Sequence, residues 1–147
     1  MLFPRFVISL LLIGILLHSS ARGNVINVYA SHVSAVRTAC VRAAAGDTVF
    51  VHTGVYKEGN IVIDKPLVIR GERDAIIDAS DSAEIIIIRS HHVSIQDLTL
   101  RNTGTSYIHE RAAIRCEFAT DCILQNNTII NANYGIYSGK SARLTIR

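Results

Sequence analysis

The stretch GDTVFVHTGVYKEGNIVIDKPLVIRGE, Gly46 to Glu72, alternates apolar and polar residues and is cut by Gly and Pro at short intervals. Period-two alternation in runs of about four to eight residues is the signature of half-buried strands. Val49, Val51, Ile61, Ile63, Leu67 and Ile69 are the positions expected to face inward, with bends at Gly54, Gly59 and Pro66. The same grammar continues to the last residue: NIVI, PLVI, EIIII, VSI, LTL, AIRC, CIL, TII, GIY and LTI are short strands, commonly separated by Gly, Asn, Asp or Pro.

These strands repeat as a unit. AEIIIIRSHHVSIQDLTLRN laid beside AAIRCEFATDCILQNNTIIN matches Ile85 to Ile114, Ile87 to Cys116, Val93 to Cys122, Ile95 to Leu124, Leu100 to Ile129 and Asn102 to Asn131. A third copy, YGIYSGKSARLTIR, sets Ile136 on Ile114 and Leu144 on Cys122, and a looser step links Leu67 to Val93. The offsets of 29, 22 and 26 residues are unequal, so strand segments hold constant while turns vary. That pattern fits a coiled solenoid better than a propeller or leucine-rich repeat, whose periods are tighter. The expectation is an all-β, right-handed parallel β-helix in which equivalent side chains stack in columns. Asn102 and Asn131 would form an amide ladder where a strand ends, as stacked amides do in cross-β layers. A β-sandwich also suits strands at this spacing, but it gives no reason for matching columns.

Upstream, SHVSAVRTACVRAAA (31–45) places Val33, Val36, Cys40 and Ala43 on one helix face, with Ser31 as N-cap and Gly46–Asp47 as the stop. Such a helix would cap the open N-terminal coil of a solenoid. Further upstream, Arg5 precedes the twelve-residue apolar run FVISLLLIGILL and then HSSARG. The run is shorter than the roughly 20 residues of a spanning helix. With Ser19 and Ala21 at a cleavage site it reads as a signal peptide over residues 1–21, the alternative being an uncleaved anchor. Export to the periplasm is the expectation, with residues 22–147 forming the N-terminal part of the β-helix domain and coils starting at 46. The chain stops at LTIR, within a strand, so further C-terminal coils are expected.

Charge narrows the function classes. Removing residues 1–21 takes Arg5 with it and leaves 14 basic against 12 acidic residues. No Lys/Arg run tracks a phosphate backbone, so nucleic acid is not an expected partner. Cys40, Cys116 and Cys122 are an odd set for an exported chain. Cys116 and Cys122 read either as buried thiols in apolar columns or as a disulfide across a turn, and Cys40 as packing. His91, His92 and His109 lie in turns and are the candidate ligands for copper or zinc, although adjacent histidines lack helical spacing and no third ligand is fixed. His52 ends a strand. A polysaccharide lyase or hydrolase would require grouped carboxylates; Asp74, Asp78, Asp81 and Glu84 do cluster, but in a turn region where acidic residues commonly keep a loop solvated, and Asp97 aligns with Asn126, so no acidic column repeats there. Asn126-Asn127-Thr128 is formally a glycosylation sequon within a repeat turn.

The segments GDTV after an Ala-rich helix, GVYKEG, VIDKPLVIRGE, AIIDA, VSIQDLTLRNTGTSYIHERAAIRCE and NYGIYSGKSARLTIR occur in this order over Val25 to Arg147. This series resembles the right-handed β-helix proteins grouped as carbohydrate-binding and sugar-hydrolase modules, and within them the NosD-like maturation proteins of nitrous-oxide reductase. The resemblance implies a periplasmic accessory protein that is not itself an enzyme. It would work with an ABC transporter, touching the membrane only through that partner, in building the copper–sulfide centre of the reductase. Copper is implied as a possible cofactor by the resemblance alone, with no ligand motif carried over. The other reading is an extracellular β-helix that binds or cleaves polysaccharide.

Overall fold

The computed structural model describes residues 23–106, 108 and 111–147. The expected signal peptide and His109 lie outside the described residues. After a strand β1 (Val25–Val28) and a helix α1 (Ala35–Arg42), the chain winds in coils of three strands. The first coil holds β2 (Thr48–Val51), β3 (Gly54–Lys57) and β4 (Ile61–Ile63), and the second β5 (Val68–Gly71), β6 (Ala75–Asp78) and β7 (Ile86–Ile88). The third holds β8 (Ser94–Gln96), β9 (Thr99–Arg101) and β10 (Ala112–Glu117). The fourth holds β11 (Ile123–Gln125), β12 (Thr128–Ile130) and β13 (Tyr134–Gly139), and β14 (Thr145–Ile146) opens a fifth.

Three parallel sheets result, in the orders β1-β2-β5-β8-β11-β14, β3-β6-β9-β12 and β4-β7-β10-β13. Every neighbour within a sheet is thus one coil away, so the fold is a parallel β-solenoid. Its interior is a set of columns: Val49–Ile69–Ile95–Leu124, Tyr56–Ile77–Leu100–Ile129 and Ile61–Ile86–Ile114–Ile136. β-branched side chains favour pleated positions, and each buried Ile contributes about 1.5–3 kcal/mol of transfer free energy. All six positions expected to face inward in Gly46–Glu72 are buried.

The corners require left-handed backbone, which Asn and Asp adopt more readily than other non-glycine residues. Asp97 and Asn126 (φ 58° and 55°) turn from the first sheet to the second, and Asn102 and Asn131 (58° and 51°) from the second to the third. Their side chains bond from coil to coil. Asn131 Nδ2 donates to Asn102 Oδ1 at 2.9 Å, Asn102 Nδ2 to Asp78 Oδ1 at 3.0 Å, and Asn126 Nδ2 to Asp97 Oδ1 at 3.2 Å. Gly54 has φ +145°, and a Cβ there would lie 2.8 Å from the Ala30 Cβ. Pro66, between β4 and β5, accepts the Gly46 N–H at 2.8 Å.

Four sequence expectations need correction. Helix α1 is eight residues long rather than spanning 31–45; Ser34 with φ 53° occupies the N-cap, and Val33 is 92% exposed rather than on the buried face of Val36, Cys40 and Ala43. Ser34 makes no side-chain cap; the helix is capped from elsewhere. β3 and β6 were not among the expected strands, because GVYK opens on Gly and AIID lacks clean alternation.

The register of one column also shifts by a residue. Ile86, not Ile85, pairs with Ile114, and Ile88, not Ile87, with Cys116. Yet Val93 and Cys122 stay aligned, since Ser94 pairs with Ile123. From Cys116 to Cys122 the chain therefore takes one more residue than from Ile88 to Val93. The extra residue is Phe118, in left-handed backbone (φ 55°) and 68% exposed. Lys140 (φ 52°) repeats the conformation one coil on, its ammonium 5.3 Å from the Phe118 ring centre. Finally, the acidic residues do not form one solvated cluster. Asp74 turns a corner at φ 62°, buried Asp78 bonds Arg101 at 2.8 Å, and Glu84 pairs with Arg115.

Candidate functional site

The third-to-first corner carries the predicted histidines. His91 bridges to Thr120, and Thr120 to Ala142, in parallel. His92 consequently stacks with Asp121 and Arg143, all three in left-handed backbone (φ 53°, 55° and 51°). Both imidazoles are exposed, with ring centres 5.0 Å apart and nearly perpendicular. The carboxylate beside them is already engaged: Arg143 donates to Asp121 through Nε at 2.5 Å and Nη2 at 2.7 Å. This bidentate contact, with His92 and His91 adding, holds the Asp121 carboxyl below its ordinary value.

The three thiols are free and buried. Cys116 stacks on Ile88 and Cys122 beneath Val93, each inside the solenoid. Burial, with Glu58 adding to it, pushes Cys40 up to about 12, and burial, with Cys122 adding, pushes Cys116 up to about 11. Burial also raises Cys122, whose Sγ lies 3.3 Å from the Thr120 carbonyl oxygen. Buried thiols held protonated are poor nucleophiles at neutral pH. The bridge between Cys116 and Cys122 is not formed.

Copper implied by the resemblance can be tested against these donors. Among the described residues no three His, Cys, Asp or Glu side chains converge. Two exposed imidazoles beside a carboxylate held by Arg143, with the thiols buried inside the solenoid, do not fit a copper site among the described residues.

The sequence missed the polar machinery at the capped end. Glu58, itself buried, receives the Val36 N–H at 2.9 Å (Oε1) and the Arg37 N–H at 3.0 Å (Oε2). It thus satisfies two of the first-turn donors of α1 that have no intrahelical partner, at the positive end of the helix dipole. At the other end the Lys65 ammonium donates to the carbonyls of Ala43 (3.1 Å), Val41 (3.2 Å) and Cys40 (3.4 Å). The Arg37 guanidinium donates to the Gly59 carbonyl, and Asp47 accepts from the amides of Ala44 and Asn24, both at 2.8 Å. A signal for this clamp was present: Glu58 and Lys65 share the inward parity of Tyr56 and of Ile61, Ile63 and Leu67. A charge at an inward position needs a partner.

A second missed cluster sits where β1 meets the first coil. The His52 ring stacks on Tyr29 (4.3 Å, 3° between planes) and meets the edge of Phe50 at 4.9 Å. Its Nδ1 lies 3.2 Å from Glu72 Oε2 and its Nε2 lies 2.9 Å from Asn27 Oδ1. The Thr53 amide also donates to Glu72 at 2.9 Å, and this bond leads the interactions that hold the Glu72 carboxyl below its ordinary value. Beside this cluster, a groove of about 530 Å³ runs between β1 and α1. No described helix is long and apolar enough to cross a membrane.

Neither a protein-family model nor a solved structure matches the chain. Among curated proteins, a "Probable ABC transporter binding protein NosD" of Pseudomonas aeruginosa is 29% identical over 80 residues, which cover 54% of this chain and 19% of that protein. The chain thus matches about a fifth of its relative's length. That distant similarity, joined to the parallel solenoid, gives the chain a resemblance to NosD-type β-helix proteins.

Proposed function

We propose that this chain is part of a NosD-like accessory scaffold, exported to the periplasm. It acts by contact with an ABC transporter system and with nitrous-oxide reductase during assembly of the reductase's copper–sulfide centre. It is a binding protein rather than an enzyme. The observation that carries this reading is the 29% identity to the probable ABC transporter binding protein, and the parallel coils support it as a rigid surface for protein contacts. Solenoids present extended faces of this kind.

The test is genetic and spectroscopic. In a host that respires nitrous oxide, deleting the gene should leave the reductase polypeptide present but without its catalytic copper cluster, read by copper content and visible absorption. Supplying the gene in trans should restore both. A fully metallated reductase in the deletion strain would remove the role.

A further inference from the structure

Strand β1 ends the six-stranded sheet and pairs only with β2 among the described residues. The Thr48 N–H donates to the Asn24 carbonyl at 2.8 Å and the His52 N–H to the Val28 carbonyl at 2.9 Å. Backbone groups alternate in direction along a parallel strand, so Asn24, Ile26 and Val28 face β2. Val25, Asn27 and Tyr29 then present their N–H and C=O groups to the opposite edge, where no described backbone partner meets them. This edge forms one wall of the groove, and the face of α1 bearing Ala35, Thr38, Ala39 and Arg42 forms the other. Ala35, Thr38 and Ala39 on the helix are small, which leaves room for side chains standing on the strand.

We propose that this groove receives an extended peptide segment of a partner protein as an added strand, its apolar side chains on Ile26, Val28 and Ala39 and an acidic side chain toward Arg42. An open sheet edge supplies main-chain hydrogen bonds for this mode of recognition, and side-chain pockets supply its specificity. Charge selects the partner: the lining includes Arg42 and His32 and no carboxylate, and Arg42 makes no ion pair among the described residues. The α1 clamp by Glu58 and Lys65 holds the helical wall in place without occupying the groove. The inference does not depend on the accessory role.

The test uses the full chain and a dye-labelled five-residue peptide alternating valine with threonine and aspartate. The comparison peptides carry lysine for aspartate, or proline at the centre. Fluorescence polarisation should show saturable binding of the acidic peptide, at least about tenfold weaker binding of the lysine version, and none of the proline version. Amide exchange at Val25, Asn27 and Tyr29 should slow on binding. Thr38→Trp, at an exposed position, should block the groove, and Arg42→Glu should reverse the charge preference. Binding that survives Thr38→Trp, or that leaves those three amides exchanging freely, overturns the proposal. So does slow exchange before any peptide is added, which would place residues preceding β1 in the groove. Dimerisation abolished by Thr38→Trp would place a second copy there and overturn it as well.

Discussion

Replacing Glu58 with alanine is expected to destabilise the chain by about 3 kcal/mol, measured by urea unfolding at neutral pH. The substitution strips acceptors from the Val36 and Arg37 amides, 2.9 and 3.0 Å from the carboxylate, in a setting where Val36 is fully buried. An unsatisfied buried donor costs about 1–3 kcal/mol, and α1 is only eight residues long. A helix that short does not persist on its own propensity in water. It stands because Val36, Ala39, Cys40 and Ala43 cover the first coil and because Glu58 and Lys65 hold its two ends. Glu58→Gln keeps one oxygen acceptor and should lose roughly half as much. Against a typical domain stability of about 5–15 kcal/mol, the alanine variant should also expose Ile61 and Ile63 beneath the helix, seen as increased dye binding. A loss below about 1 kcal/mol would mean that α1 is held by packing alone.

Stability should fall steeply in alkali. The folded pKa of Cys40 stands near 12 against an ordinary value near 9, so its contribution is complete below pH 9. Above that, the unfolded chain ionises the thiol while the folded chain does not, and the contribution is lost as pH rises from 9 toward 12. Three pKa units correspond to about 4 kcal/mol at most. Cys116, near 11, adds loss over pH 9 to 11. Tyr56 adds to the upper end, its phenol raised by burial and then by the carboxylates of Glu58 and Glu72. Cys40→Ala should be less stable at pH 7 by about 1 kcal/mol through lost packing, yet show a shallower alkaline limb. An alkaline limb with the same slope in the variant would show that the Cys40 thiol is not held protonated by its surroundings.

What the sequence made legible follows from where the physics is periodic. Inward columns of Ile, Val and Leu recur because each coil buries the same positions, so Ile95–Leu124, Leu100–Ile129 and Val93–Cys122–Leu144 could be read by matching copies. The Asn102–Asn131 alignment was readable for a related reason, since left-handed corners favour Asn and stack it. Interactions without period were hidden. Phe118 is a single insertion in a turn, and it moved one column by a residue while leaving the next in register. The start of α1 was misplaced because its cap is supplied by Glu58, 22 residues beyond Val36, and no local pattern announces that partner. Of the candidate ligands, His91 and His92 do share one exposed corner, but Asp121 beside them is engaged by Arg143, a contact made only when two coils stack.

The register itself offers the most direct test of the solenoid. Parallel neighbours in a sheet are about 4.8 Å apart, within the Cα range of about 4.4–6.8 Å that a disulfide spans. Cys116 pairs with Ile88 and shares its inward face, whereas Ile87 pairs with the partly exposed Arg115 and, by strand alternation, lies on the opposite face. Ile88→Cys, refolded under mild oxidant, should therefore cross-link to native Cys116, identified by peptide mass mapping, while Ile87→Cys should leave Cys116 unlinked. A cross-link formed through residue 87 and not through residue 88 would contradict the coil register and the stacked columns built on it.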